Sequence, residues 1–396
     1  MDMKKIGVLN CSHIYNFGSV LQSYAMEKII ANISGYETKS IRYNQKKDLR
    51  YVRNYFPQLF EKEIVTMKLK NLKRKAYLKY LNKELADNIK KREKCFQKFV
   101  DSKFNFTKIY TDWYSLCESV EEFAGFVLGS DQVWHPINLG SHFYTMEWIP
   151  DNIPKIAYAS SFGVSAIPRR QEPATKNYLK HMDAISVREK AGSEIIKKLT
   201  GKNVPVVLDP TFLLSEIQWR EIAEPIHKKG YIFCYFLGNN ISARKYALQL
   251  KKETGLNIVC IPFMDEINKC DIQFGDIRLF EVNPTSFLSY IINAEYVVTD
   301  SFHGTVFSVI FQKQFVVFNR FADNRKLSTN SRIDTLLETL EITRRRILIP
   351  TTTKEAVRIM TDEIDYKHVM KKLKELCNDS LDYLVFELKK QGMTKD

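Results

Sequence analysis

The sequence predicts an α/β protein made of two parallel-sheet domains that face each other across a cleft. Three observations carry this. The chain has 396 residues, 44 % of them hydrophobic, more than a single core usually organises. Apolar runs of β type alternate with segments of helical period, as in βαβ units. The alternation also breaks near Leu214 and restarts at "GYIFCYFLGNN". The expected organisation is an N-terminal domain over residues 1–214, a C-terminal domain over 215–350 and closing helices over 351–396, with a basic helical insertion at about 46–110.

The elements follow in order. "KKIGVLNC" reads as a strand. "NFGSVLQSYAMEKIIANI" reads as a helix, because Val20, Leu21, Ala25, Ile29 and Ile30 recur at helical spacing. "YETKSIRY" is the next strand. Asn16 and Ser19 sit at the turn between strand and helix, where unsatisfied backbone N–H groups and the positive helix end attract anions. The turn lacks GxGxxG, so no dinucleotide site is expected. "FAGFVLG", "KIAYAS" and "AISV" are strands, the last leading into a helix from Glu189. "NVPVVLDPTFLL" closes this half, with Asp209 read as a turn residue rather than a metal ligand. "SEIQWREIAE" looks like a capped linker helix. In the second half, "IFCY", "NIVCIPF", "EYVVT" and "QFVVFN" are strands, and the helix "SARKYALQLKKETG" closes on Gly255.

Charge is distributed unevenly. The net charge is +14, and residues 46–98 hold 17 Lys+Arg against 6 Asp+Glu. Leu69, Leu72, Tyr77, Leu78 and Leu81 fall roughly at helical spacing within that stretch, so it reads as a basic amphipathic helix or helical pair. A solvated insertion and a helix lying on an anionic membrane surface both fit. No nucleic-acid motif accompanies the charge, so nucleic acid is not an expected partner. No apolar run nears the roughly 20 residues of a membrane span, and the N-terminus lacks the pattern of a signal peptide. The seven cysteines are scattered without CxxC, which implies neither a disulfide framework nor a zinc site and suits a reducing cytoplasm. No metal site is expected, since there is no HExxH, DxD or Cys/His cluster.

Polar residues gather at the carboxyl ends of predicted strands: Ser130, Asp131, Gln132 and Trp134 in "GSDQVW", Arg188 in "SVRE", Asp300, Ser301 and His303 in "TDSFHGT", and Asn330, Ser331 and Arg332 in "STNSRID". Ligands of parallel sheets bind along that rim. Arg188, Arg332 and His303 are donors suited to carboxylate or phosphate. Asp131 and Asp300 are the candidate bases, and the set suits a small, doubly charged anion.

Eight segments occur in order from about residue 5 to 340: "YNFGSVLQSYA", "GSDQVW", "IAYASSFGVS", "DAISVREKAG", "VVLDPTFLL", "CYFLGNN", "TDSFHGTVFSVIF" with "FVVFNR", and "NSRIDTLL". Together they resemble the bacterial polysaccharide pyruvyl transferase family. The resemblance implies two Rossmann-like domains facing a cleft, similar to the B-type glycosyltransferase arrangement. It also implies transfer of a pyruvyl group from phosphoenolpyruvate, as donor substrate and without a cofactor, to two hydroxyls of a sugar, giving a cyclic ketal. The donor contacts of the family map onto Arg188 and His303. Some members carry Arg-Leu-His-Gly where this chain has Ser301-Phe302-His303-Gly304, and Arg332 is the expected replacement for that lost charge.

In this reading His303 protonates C3 of the donor, since histidine exchanges protons near neutrality. Arg188 steadies the departing phosphate. Asp131, helped by Gln132 and Trp134 as sugar contacts, deprotonates a sugar hydroxyl, while Asp300 has a rival role as a helix cap. Acceptors of polymer-building enzymes are often lipid-linked, and the basic insertion would then hold the enzyme at the cytoplasmic face of the membrane. The alternatives are a nucleotide-sugar glycosyltransferase of the same architecture, with "FLGNN" in its nucleotide pocket, and a non-catalytic surface-binding protein.

Overall fold

The computed structural model describes residues 4–46, 62–80, 82–264, 269–271, 273–320, 331–348 and 353–395. Residues 47–61 of the basic segment, Leu81 and Asn330 lie outside them.

Two six-stranded sheets organise the chain. The first contains β1 (Lys5–Leu9), β2 (Thr38–Tyr43), β3 (Phe106–Tyr110), β4 (Phe123–Leu128), β5 (Lys155–Ser160) and β6 (Ala184–Val187), in the order β3-β2-β1-β4-β5-β6. The second contains β7 (Ile232–Tyr235), β8 (Ile258–Ile261), β9 (Ile277–Arg278), β10 (Tyr296–Thr299), β11 (Gln314–Phe318) and β12 (Arg346–Ile347), in the order β12-β11-β10-β7-β8-β9. Every pairing is parallel. Central strands such as "IFCY" and "IVCI" are buried along their whole length, which explains their unbroken apolar runs.

Both sheets are wound the same way, so each has one point where the strand order reverses, between β1 and β4 and between β7 and β10. A crevice opens there at the carboxyl ends of the strands, and ligands of open α/β sheets bind in it. The helix α1 (Phe17–Ser34) begins in the first crevice. Asn16 caps it by accepting from Ser19 N, and Gly35 ends it in the left-handed region at φ 65°. Its N-terminal residue reaches the second half of the chain: the Phe17 ring stacks on Phe287 at 4.6 Å and meets Tyr235 edge-on. This contact sets the two crevices face to face.

The basic segment, expected as a helical insertion at about 46–110, holds two helices and a strand among its described residues. Its helices are α2 (Lys62–Tyr80) and α3 (Lys83–Lys103), and the residues after them form β3, an edge strand of the first sheet. Phe96, Phe99 and Val100 give α3 a buried face. Arg92 donates to the carbonyls of Pro262, Leu279 and Phe280, and Arg74 to that of Met264. Two of the basic residues therefore satisfy backbone carbonyls of the second half and fasten the insertion across the domains. The closing helix Tyr366–Lys390 runs back to the first half, where Ser380 Oγ accepts from Leu208 N at 3.1 Å.

Candidate active site

The site is built from the chain exits at the two facing crevices. After β4 the backbone turns sharply, and Asp131 sits in the left-handed region at φ 82°. Such a conformation costs a non-glycine residue about 1–3 kcal/mol and persists only where surroundings enforce it. Here Ser161 N donates to Asp131 O at 3.0 Å and Gln132 N to Asp131 Oδ1 at 2.9 Å. The bend turns the carboxylate toward α1, where Ser19 Oγ donates to Oδ2 at 2.5 Å. Arg188, leaving β6, lies 3.3 Å from Oδ1 through Nη2.

Arg188 has a second and closer partner. Its Nη1 donates to Asp209 Oδ2 at 2.8 Å, and Ser130 Oγ donates to the same oxygen at 2.9 Å. The other oxygen, Oδ1, accepts from the backbone and hydroxyl of Thr211 at 3.1 and 2.7 Å. Asp209 is thus a turn residue on one oxygen and the hub of the site on the other. The sequence signal for the second role is faint, since "LDP" is an ordinary turn start and its partners lie far away in sequence. Glu189 is a further residue that sequence reasoning missed. It is fully buried, accepts from Ser161 Oγ and Phe162 N, and stands 3.9 Å from Arg188 Nε.

His303 enters from the second half on the helix Phe302–Ile310, which Ser301 caps by accepting from Gly304 N at 3.2 Å. Its Nε2 lies 3.6 Å from Asp209 Oδ2. On the other side the ring rests on Gly18 of α1, so closely that a Cβ there would fall 2.0 Å from Nδ1. Only glycine allows α1 to approach the imidazole this way. Phe302 also serves the site: the guanidinium carbons of Arg188 and Arg332 lie 4.6 and 5.6 Å from its ring centroid.

Charge follows from this packing. Burial pushes the Asp131 carboxyl up, but Arg188, His303 and Ser19 outweigh it and hold it below its ordinary range. Burial also works against the Asp209 carboxylate, yet His303 and Arg188 drive it far below the usual carboxylate range. Burial pushes the Glu189 carboxyl up. Burial and the like charge of Arg188 bring Arg332 down to about 9, a setting in which an arriving anion stabilises the cation. Among Asp131, His303 and Asp209, access is greatest at Asp131, whose side chain is 12 % exposed against 8 % for His303 and 0 % for Asp209.

The structure therefore brings together Ser19, Asp131, Arg188, His303 and Arg332, with Asn16 as the cap of α1. It places three other expected residues differently. Trp134 is 1 % exposed, donates Nε1–H to Tyr144 O and packs on Phe162 and Tyr178. It has no face left for a sugar, because its bulk completes the core below the β4 turn. Gln132 folds its side chain over Gly163. Ser301 spends its hydroxyl on the helix cap.

Asp300 belongs to the other crevice. Its Oδ1 accepts from Leu237 N at 2.6 Å, joining the exits of β10 and β7, while the expected capping falls to Ser301. Burial raises its carboxyl to about 6, against the opposing help of Leu237 N–H. A carboxyl whose folded value is raised binds its proton more tightly when folded, so stability falls as pH rises from about 4 to about 6. Asp300→Asn keeps the acceptor and removes the charge. The variant is expected to lose this pH dependence and to match or exceed the wild type at pH 7.5, by up to about 2–3 kcal/mol in chemical denaturation. A large destabilisation at pH 7.5 would show that the charged form is needed.

Among the described residues, no group of three His, Cys, Asp or Glu side chains could hold a metal ion. None of their helices is long and apolar enough to cross a membrane.

Two parallel-sheet domains whose reversal points face each other define the B-type arrangement of glycosyltransferases and related sugar-nucleotide enzymes. The UDP-GlcNAc 2-epimerase of Neisseria meningitidis, solved bound to UDP-GlcNAc, is similar to 98 % of this chain over 100 % of its own, with TM-score 0.52 and 10 % identity. That of Methanocaldococcus jannaschii, solved in complex with UDP-GlcNAc and UDP, matches 94 % of this chain over 99 % of its own at TM-score 0.49 and 13 % identity. At such identities the likeness concerns the fold alone. No curated protein sequence matches the chain significantly. The family model for polysaccharide pyruvyl transferase matches residues 16–320, well over half of the chain, and the chain belongs to that family.

Proposed function

We propose that this enzyme transfers the pyruvyl group of phosphoenolpyruvate to two hydroxyls of a saccharide, forming a cyclic ketal and releasing phosphate. The observation that carries the reading is the meeting of Arg188, Arg332 and His303 with a partly open carboxylate, Asp131, where the two crevices face each other. Family membership supports it. His303 gives a proton to C3 of the donor, which makes C2 electrophilic, and Asp209, 3.6 Å from its Nε2, orients the ring. Asp131 takes the proton of an attacking hydroxyl. Both hydroxyl oxygens bond to C2 as its bond to the phosphate oxygen breaks, the second hydroxyl gives its proton to the phosphate, and the proton held by Asp131 restores His303, so the reaction balances without a cofactor.

Arg188 is already engaged by Asp209 and Asp131, so its main work is to hold both carboxylates in place. Arg332, whose guanidinium lies over the same Phe302 ring, is assigned as a donor contact and replaces the arginine that some family members carry at the position of Ser301. Arg332→Ala is expected to raise the KM for phosphoenolpyruvate at least tenfold with a smaller change in acceptor KM. Unchanged donor KM would remove the assignment. A donor screen separates pyruvyl transfer from glycosyl transfer: phosphate released from phosphoenolpyruvate only with saccharide present, against nucleotide released from a sugar nucleotide.

A lipid-linked acceptor at the cytoplasmic membrane face would give α2 a use. It exposes Leu69, Leu72 and Tyr80 at 54 %, 63 % and 69 %, beside exposed Lys70 and Lys73. Such a face suits the surface of an anionic bilayer. Lys70→Glu with Lys73→Glu is expected to abolish co-sedimentation with anionic vesicles while sparing activity on a soluble acceptor. Arg74 must stay, because it binds Met264. Sedimentation unchanged by the double substitution would refute the membrane role.

A further inference from the structure

We propose that a cavity at the carboxyl ends of β1 and β2 is a binding site for a neutral sugar unit of the acceptor, an inference that rests on the saccharide-acceptor reading above. The cavity holds about 490 Å³, within the ~300–1,000 Å³ usual for small-ligand sites. Its lining includes Asn10, Tyr15, Tyr43, Asn44, Gln45 and Phe106.

Three features point to a sugar. The first is aromatic surface. Tyr43 stacks with Phe143 at 5.6 Å, and both line the space, as does Tyr15, which is 41 % exposed. Aromatic faces offer apolar area to the C–H side of a sugar ring, and tyrosine adds a polar edge. The second is a set of amide side chains, which both donate and accept and so match hydroxyl groups. Gln45 Oε1 is buried and makes no hydrogen bond among the described residues. An unmet buried acceptor is costly, and a ligand hydroxyl would supply the missing donor. The third is charge. The arginine of the cavity, Arg42, stands over the Phe106 ring at 3.7 Å and pairs with Asp101 at 3.4 Å, so its charge is partly balanced at the rim. The cavity therefore suits a neutral polyol better than the anionic donor, which Arg332 at Phe302 would hold.

A chain of buried hydrogen bonds links the cavity wall to the site. The wall residue Tyr144 donates to Asn10 O at 3.2 Å and accepts from Cys11 Sγ at 3.6 Å. Cys11 N in turn donates to Ser23 Oγ, which binds Ser19 O, and Ser19 holds Asp131. Burial, and the nearby Asp131 carboxylate, push the Cys11 thiol up. An acceptor anchored by one sugar in the cavity would therefore present its neighbouring unit close to Asp131.

The test uses the full chain, a panel of neutral oligosaccharides containing glucose, galactose or N-acetylhexosamine, and ligand-observed NMR. Wild type should bind at least one member. Tyr43→Ala and Gln45→Ala should weaken that binding about tenfold or more while leaving the thermal stabilisation by phosphoenolpyruvate unchanged. Gln45→Ala guards against a folding defect in the tyrosine variant. Binding of no saccharide by wild type, or equal binding by both variants, would overturn the proposal. Saccharide binding lost in the variants, with no response of wild type to phosphoenolpyruvate, would uphold the cavity and refute the donor reading.

Discussion

Replacing His303 with alanine is expected to lower turnover by about 10²- to 10⁴-fold while the protein remains folded. The imidazole fills a slot between Gly18 of α1 and Asp209, and in the proposed reaction it is the group that gives the donor its proton. Its loss leaves Asp209 still bonded to Arg188, Ser130 and Thr211, so no buried carboxylate is stranded. Circular dichroism and the melting temperature should stay near wild type. Near-normal turnover would remove the acid assignment. Gly18→Ala offers a separate check with His303 present. A methyl group 2.0 Å from Nδ1 must displace the ring or part the two domains, so turnover should fall nearly as far. Unaltered kinetics in that variant would mean that the position of the ring does not matter.

The second large effect is on stability. Asp209→Ala should destabilise the protein by about 3–5 kcal/mol, the usual cost of leaving one partner of a buried pair uncompensated. Arg188 is 1 % exposed at its side chain, and its closest carboxylate is Asp209. The Thr211 turn and Ser130 lose their acceptor in the same change. Asp209→Asn should cost less, because it keeps an acceptor for Thr211. The pH sign is opposite to that of Asp300. A carboxylate held far below its ordinary value stabilises fully above the unfolded value of about 4 and loses that contribution as pH falls further. The alanine variant should therefore lose part of the acid sensitivity of the wild type. Chemical denaturation at pH 7 and in acid measures both effects. A loss under 1 kcal/mol at pH 7 would show that Arg188 finds sufficient charge in Asp131 and Glu189.

The fold could be read from patterns that tertiary contacts do not disturb. Central strands such as "IVCI" and "IFCY" are apolar throughout because both faces are covered, and capping residues such as Asn16 and Ser215 mark helix starts. Three of the four edge strands escaped notice for physical reasons. β9 and β12 have two residues each, and β3 is half exposed and follows a long basic helix. None of them carries a period long enough to register. At the site, the residues at strand exits were legible one by one, but not their partners. Asp209 shares an oxygen with Arg188 and Ser130, residues 21 and 79 positions away. Trp134 looked like a sugar platform because it follows a strand end, yet the bend at Asp131 carries it into the core. Arg74 and Arg92 looked like solvated charge, and instead satisfy carbonyls nearly 190 residues away.

The most direct test of pyruvyl transfer is to incubate the enzyme with phosphoenolpyruvate isotopically labelled at C2 and a saccharide that it binds, and to follow the label by NMR. The expected result is a new ketal carbon on the saccharide, formed in step with phosphate and absent without acceptor or in His303→Ala. Phosphoenolpyruvate left untouched while a sugar nucleotide loses its nucleotide in the same protein would contradict it.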